Sequence, residues 1–183
     1  MDRQTRLEAV GPARQPVLAR LWQMYRHDLG EFRESPPDED GAYREHELPA
    51  FFTGDPDRQP YLIRHGDALG GFALVLGATT EPRKVYAFFV VRALRRKNVG
   101  YCAAREMLHR HPGAWEIAFQ EENPGAARFW RQVAVEAADA RSREERRPVP
   151  GKPWLPPDTF IVFQAGGDRP APCDLPRCSE RGG

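Results

Sequence analysis

Apolar positions first recur at helical spacing between residues 13 and 33. Leu18, Leu21, Trp22, Tyr25, Leu29 and Phe32 fall on one wide face, which predicts an amphipathic helix. Residues 5–10 ahead of it predict a short strand ended by Gly11-Pro12, and residues 33–41 a polar, Pro-rich loop. The pattern over 42–52 predicts a second short helix that Pro49 ends or kinks. Two strands follow at 61–64 and 69–76. The His65-Gly66-Asp67 turn between them makes a hairpin, and Gly70-Gly71 predicts a bulge or a close backbone approach. A largely buried strand is predicted at 84–91 and a helix at 98–110, closed by His111-Pro112-Gly113. A strand at 115–119, a helix at 124–133 with Pro at its first turn and a last strand at 159–164 complete the pattern. No internal repeat is visible. Helices alternating with strands predict an α/β (α+β) class, with three layers around one mixed sheet.

Composition narrows this picture. A chain of 183 residues with 40% hydrophobic residues fits one domain, read here as residues 1–164. Residues 165–183, rich in Gly and Pro and without an aromatic, read as a flexible tail. No run of 18 apolar residues exists, and the polar start reads against a signal peptide. The basic residues are strongly skewed to Arg; Lys occurs only at Lys84, Lys97 and Lys152. Such a skew follows GC-rich codons and points to a bacterial source. The net charge of +1 argues against a nucleic-acid coat. Cys102 falls in a helical pattern and reads as core. Cys173 and Cys178 lack the companion ligands a tetrahedral metal site requires, so no metal is expected and the compartment reads as cytoplasmic.

The chemistry concentrates where the strand at 84–91 runs into a basic turn that opens a helix. Arg92, Arg95, Arg96 and Lys97 place four positive charges within six residues, and Gly100 allows close backbone approach. Free N–H groups and the positive end of a helix dipole favour a pyrophosphate at such a point. A solvated surface, a nucleic-acid patch and a localisation signal remain open for the basic run alone.

Together with a downstream segment, this stretch resembles the GCN5-related N-acetyltransferase (GNAT) superfamily. The family's [QR]-x-x-G-x-[GA] pattern reads Arg95-Arg96-Lys97-Asn98-Val99-Gly100 here. Its N-x-x-A-x-x-F-[YW] pattern reads Asn123-Pro124-Gly125-Ala126-Ala127-Arg128-Phe129-Trp130. The order of elements over roughly residues 5–164 is also the family's. The resemblance implies a GNAT-like α/β/α fold with a centrally splayed sheet, and acetyl-CoA or another acyl-CoA as co-substrate. Phe88, Phe89 and Val90 would offer backbone groups to the pantetheine arm. Arg95, Arg96, Lys97, Asn98, Val99, Gly100 and Tyr101 would surround the pyrophosphate. Asn123 would bond the pantetheine or hold the splayed strands, and Phe129 and Trp130 would line the thioester end. Two positions depart from the family: Asn98 stands in place of a glycine, and Trp130 where many relatives carry a tyrosine acid.

Acetyl transfer needs a neutral amine, so a carboxylate or His near the thioester is sought as base. The strand at 84–91 holds no carboxylate. Glu121 and Glu122, at the end of the next strand, and Tyr25 and Asp28, on the first helix, are the catalytic candidates. Tyr25, Asp28, Tyr43 and Glu47 are the acceptor-side candidates. The expected activity is acetyl transfer to an amine by direct attack. The acceptor is read as a small molecule of antibiotic or natural-product type rather than a protein, in a monomer or homodimer with no nucleic-acid or membrane partner. The alternative is a GNAT-fold protein that binds CoA or another ligand without acetylating.

Overall fold

Along the central strands successive side chains fall alternately into two separate cores, as the two-residue period of a sheet covered on both faces requires. Tyr61, Ile63, Ala73 and Val75 enter one core; Leu62, Phe72 and Leu74 enter the other. The computed structural model describes residues 4–45, 47–138, 142–149 and 151–166.

The described strands are β1 (Thr5–Ala9), β2 (Arg58–His65), β3 (Ala68–Leu76), β4 (Arg83–Val90), β5 (Gly113–Phe119), β6 (Arg143–Arg147) and β7 (Asp158–Ala165). They form one sheet in the order β1-β2-β3-β4-β5-β7-β6, antiparallel except for the β4–β5 pair. Helix α1 (Gln15–Arg33) covers one face, through Leu18, Leu21 and Trp22 over Leu62, Phe72, Leu74, Ala87 and Phe89. Helices α2 (Val99–Arg110) and α3 (Pro124–Ala137) cover the other, with Met107, Leu108, Trp130 and Val133 packed on Trp115, Ile117 and Ile161. The mixed three-layer class expected from the sequence is thus observed.

Three expectations change. No helix forms at 42–45 or 47–48; a 3-10 turn, Pro49–Phe52, is the helical part, with Pro49 at its start. Gln23 of α1 takes the backbone instead. Its Oε1 accepts from the Tyr43 N–H at 2.7 Å and its Nε2 donates to the Tyr43 carbonyl at 2.9 Å. Trp22 Nε1 donates to the Arg44 carbonyl at 3.0 Å, so Tyr43 and Arg44 are held against α1 by their main chain. Strand β6 was not anticipated, because Arg-Glu-Glu-Arg-Arg has no apolar residue to mark a period. It is an edge strand held by pairing to β7 and by charge: Arg147 bonds Glu116 at 2.7 Å and lies 4.3 Å over the Phe160 ring. Finally, Ala165, read as the start of the tail, is a buried residue of β7.

Cys102, read as core, is half-buried on α2 and disulfide-bonded. Cys173, Cys178 and the rest of the proposed tail beyond residue 166 lie outside the described residues. Within the described residues no helix is long and apolar enough to cross a membrane, and no group of three or more His, Cys, Asp or Glu is placed to hold a metal.

Candidate active site

Among the described residues β4 and β5 pair only at Arg83↔Trp115 and Lys84↔Glu116, and then part. A bulge at Tyr86 helps to turn β4: Leu74 pairs Ala87 while Val75 pairs Val85, which leaves Tyr86 unmatched. The strands diverge around a cavity of about 250 Å³, lined by Tyr25, Leu29, Tyr86, Phe88, Phe119, Gln120, Asn123, Trp130 and Asp158, among others. Phe88 meets Trp130 at 5.3 Å and Phe129 at 5.7 Å between ring centroids; Phe88 and Trp130 form one wall, with Phe129 packed against both.

The main chain of β4 has a free edge at this opening. The Phe89 carbonyl points at Gly71 of β3, where an ideal Cβ would sit only 1.9 Å from it. Main-chain groups alternate sides along a strand, so those of Phe88 and Val90 face the opening. Arg95 Nε already bonds the Val90 carbonyl at 2.8 Å, which leaves the main-chain groups of Phe88 and the Val90 N–H at the β4 edge. Phe89 itself turns its ring away, into the α1 core against Phe72 and Tyr25.

From β4 the chain enters the basic turn. Arg96 (φ 59°) and Asn98 (φ 63°) both occupy the left-handed region. Asn tolerates that region better than most residues, so Asn98 holds the backbone shape that glycine supplies in the family pattern. Its side chain does not cap α2, and the first-turn N–H groups from Val99 onward have no intrahelical acceptors. They open beside the β4 edge. The Val99 side chain is core, and the Tyr101 hydroxyl bonds Glu136 on α3, so both contribute to this turn by main chain alone. A Cβ on Gly100 would meet Val90 and Phe129 at 3.4 and 3.6 Å, ordinary contact, so the protein itself does not demand glycine there. Replacing Asn98 by Ala is expected to cost about 1 kcal/mol in urea denaturation, the left-handed penalty for a residue with Cβ and no local hydrogen bond. Replacement by Gly should stay within about 0.5 kcal/mol of wild type. Equal stability of all three would mean that the turn is not held left-handed.

The charges of the turn divide into two pairs. Arg92 Nη2 bonds Asp28 Oδ1 at 2.7 Å, and Arg95 takes the other oxygen of Asp28. These contacts tie α1 to the turn. Burial pushes the Asp28 carboxyl up, but hydrogen bonds from Arg95 and Arg92 outweigh it and hold it below the usual range. Asp28 therefore sits outside the cavity as a doubly paired anion. Arg96 and Lys97 are exposed and make no ion pair among the described residues.

The other acids are arranged differently. Glu121 accepts from Arg131 at 2.5 and 3.2 Å and from the Thr159 hydroxyl at 3.0 Å; hydrogen bonding to Arg131 lowers its carboxyl below the usual range. Glu122 shares Arg33 with Asp158: Arg33 Nη2 lies 3.6 Å from Glu122 and 2.7 Å from Asp158. Asp158 is the one carboxylate lining the cavity, and sequence reasoning missed it. Burial raises its carboxyl above the usual range, against the opposing effect of Arg33. Its only sequence signal was an acid at the head of a strand after Pro156-Pro157. Tyr25 and Tyr86 line the same cavity, and burial keeps both phenols protonated, with Tyr86 pushed up to about 12. They can donate hydrogen bonds but cannot act as bases near neutral pH.

The remaining candidates divide by position. Asn123 caps α3, its Oδ1 accepting from the Ala126 N–H at 3.0 Å, and it lines the cavity. Phe129 is half-buried between Phe88 and Trp130. Tyr43 lies at a separate shallow pocket with His27, its hydroxyl 3.4 Å from His27 Nδ1. Glu47 is exposed, close enough to Tyr86 to raise its phenol. Neither Tyr43 nor Glu47 lies in a helix, although the pattern over 42–52 predicts one there.

No protein-family model and no curated protein matches the chain. Solved structures do. An acetyltransferase from Thermus thermophilus superposes with a TM-score of 0.60 at 16% identity, over 89% of this chain and 98% of that one. An acetyltransferase of the GNAT family from Staphylococcus aureus superposes with a TM-score of 0.59 at 12% identity, over 87% and 98%. The chain has the GNAT acetyltransferase fold. Arabidopsis thaliana NAA60, solved in complex with acetyl-CoA, shares this GNAT fold with a TM-score of 0.55 at 14% identity, over 88% and 98%. Other proteins with the GNAT fold include a spermidine N-acetyltransferase chimera and a ribosomal-protein-alanine N-acetyltransferase from Escherichia coli.

Proposed function

We propose that this protein is an acyl-CoA-dependent N-acyltransferase that moves an acetyl group from acetyl-CoA to an amine by direct attack. The observation that carries the reading is the parting of β4 from β5 in line with the uncapped start of α2. One continuous surface then offers a strand edge at Phe88, an aromatic wall at Phe88 and Trp130 with Phe129 packed against both, and a cluster of backbone N–H groups flanked by Arg96 and Lys97. An extended amide-bearing arm suits the first, an acyl thioester the second and a pyrophosphate the third. Arg95 supports the turn through Val90 and Asp28 and steadies the site from behind. Because Asn98 holds the left-handed shape, its departure from glycine lends no support to the alternative of a non-acetylating protein. The GNAT-fold neighbour holding acetyl-CoA supports the choice of co-substrate.

Titration calorimetry with acetyl-CoA tests the reading. Binding is expected, and the double substitution Arg96→Ala, Lys97→Ala should weaken it about tenfold, the scale of losing two exposed charge-assisted contacts. Absence of heat at millimolar acetyl-CoA would overturn the proposal.

A further inference from the structure

Resting on that reading, we infer that the acceptor enters as a primary ammonium ion held by Asp158, and that Asp158 is the catalytic base that removes its proton. The argument starts from an imbalance of charge. Asp158 and Glu122 both face one guanidinium nitrogen of Arg33, whose side chain is 9% exposed. Two carboxylates against one guanidinium leave a net negative charge where Asp158 lines the cavity and Glu122 stands beside the same Arg33 nitrogen outside the lining. Both oxygens of Glu122 are enclosed and accept no hydrogen bond within the described residues. Buried anions are stable only when paired and hydrogen-bonded, so this wall calls for a second cation. A protonated primary amine brings one positive charge and three N–H donors. Tyr25, Leu29, Tyr86 and Phe119 line the same cavity, which suits an apolar or aromatic carbon beside the nitrogen, and Gln120 and Asn123 add polar groups.

The step balances as follows. Asp158 Oδ takes one proton from the ammonium, which frees the nitrogen lone pair. The lone pair attacks the thioester carbonyl carbon, the C–N bond forms and the C–S bond breaks with its electrons going to sulfur. The nitrogen's second proton passes to the thiolate through water, and Asp158 releases its proton to solvent. Glu122 is a positioning residue: burial is the main cause that raises the Asp158 carboxyl, Arg33 opposes it, and the charge of Glu122 adds the smallest upward part. The other groups around Asp158 are committed elsewhere. Arg147, its partner in the β6–β7 register, bonds Glu116 and Glu145, and Tyr25 and Tyr86 stay neutral.

The test uses the full chain with acetyl-CoA, follows thiol release, and offers benzylamine, putrescine and a short peptide with a free α-amine. At least one is expected to be acetylated, and the best of them tells a small amine from a peptide terminus. Asp158→Asn should lower kcat/KM for that amine about 100-fold and abolish the acid limb of its pH profile, with acetyl-CoA affinity unchanged. Asp158→Glu should recover part of the rate. Glu122→Gln should move the acid limb to lower pH, because the neighbouring negative charge is gone; a purely structural role would leave it in place. The inference falls if Asp158→Asn stays within threefold of wild type, if Glu122→Gln leaves the limb unmoved, or if no amine reacts while acetyl-CoA binds. Failure of wild type to bind acetyl-CoA would instead sink the acyltransferase reading beneath it.

Discussion

Gly71→Ala is expected to leave the protein largely unfolded, losing more than about 4 kcal/mol in urea denaturation. The position has φ +151°, a region nearly closed to side-chain-bearing residues and worth about 1–3 kcal/mol of strain alone. A Cβ there would also lie 1.9 Å from the Phe89 carbonyl oxygen, 2.9 Å from its carbon and 3.0 Å from Val90 Cα. All three are backbone atoms, so no rotamer change relieves the clash; β3 and β4 must separate. That separation would disturb the β4 edge on which the proposed site depends. The loss is comparable to the whole stability of an ordinary domain, about 5–15 kcal/mol. Gly125→Ala provides the contrast. Its Cβ would meet only Asn123 Oδ1 at 3.5 Å, inside the first turn of α3, so it should be neutral or stabilising by about 0.5–1 kcal/mol. A Gly71→Ala protein melting within 1 kcal/mol of wild type would show that the two strands are not so closely apposed.

Trp130→Ala should cost about 3–5 kcal/mol and also weaken acetyl-CoA binding. Trp130 is 6% exposed and touches Phe88 and Phe129 edge to face, with centroids 5.3 and 4.8 Å away. Removing the indole enlarges an existing cavity that the diverged strands cannot close, so the cost should fall at the upper end of the range. Phe88 and Phe129 would lose the surface that holds their rings. Trp130→Phe keeps most of that contact and should lose less than half as much. Urea denaturation and titration calorimetry on the two variants separate the effects. If Trp130→Ala kept full acetyl-CoA affinity, Trp130 would be a core residue without a part in the site.

Much of the fold was legible because its signals are local. The 3.6-residue recurrence from Leu18 to Phe32 comes from one helix lying on one sheet face, and α1 follows it. Gly70-Gly71 marked the β2–β3 bulge: Ile63 pairs Gly71 and Arg64 pairs Leu69, which leaves Gly70 unmatched. The segment at 42–48 misled because its helical pattern competes with Gln23, a partner some 20 residues away that binds its backbone directly. The all-charged β6 carried no period to read. In the site, the basic turn and the Asn123 motif were visible as words in the chain. The roles of individual charges were not. Asp28 looked like a free acid until Arg92 and Arg95 met it from more than 60 positions away. Asp158, one residue ahead of the strand expected at 159–164, drew no attention until Arg33, 125 positions away, was beside it.

The sequence by itself determined the order of elements apart from β6 and the 42–52 stretch, the two-faced strands, the strand–turn–helix at 84–110 and the aromatic pair at Phe129 and Trp130. These follow from side-chain periodicity and backbone sterics, which act over a few residues. The tertiary structure alone decided that β4 and β5 part after two residue pairs, that Asp28 is silenced, and that Asp158 faces the cavity with Glu122 behind it. Those outcomes depend on which distant charges share a few ångströms of partly buried space, and the Coulomb energy changes steeply with both separation and burial.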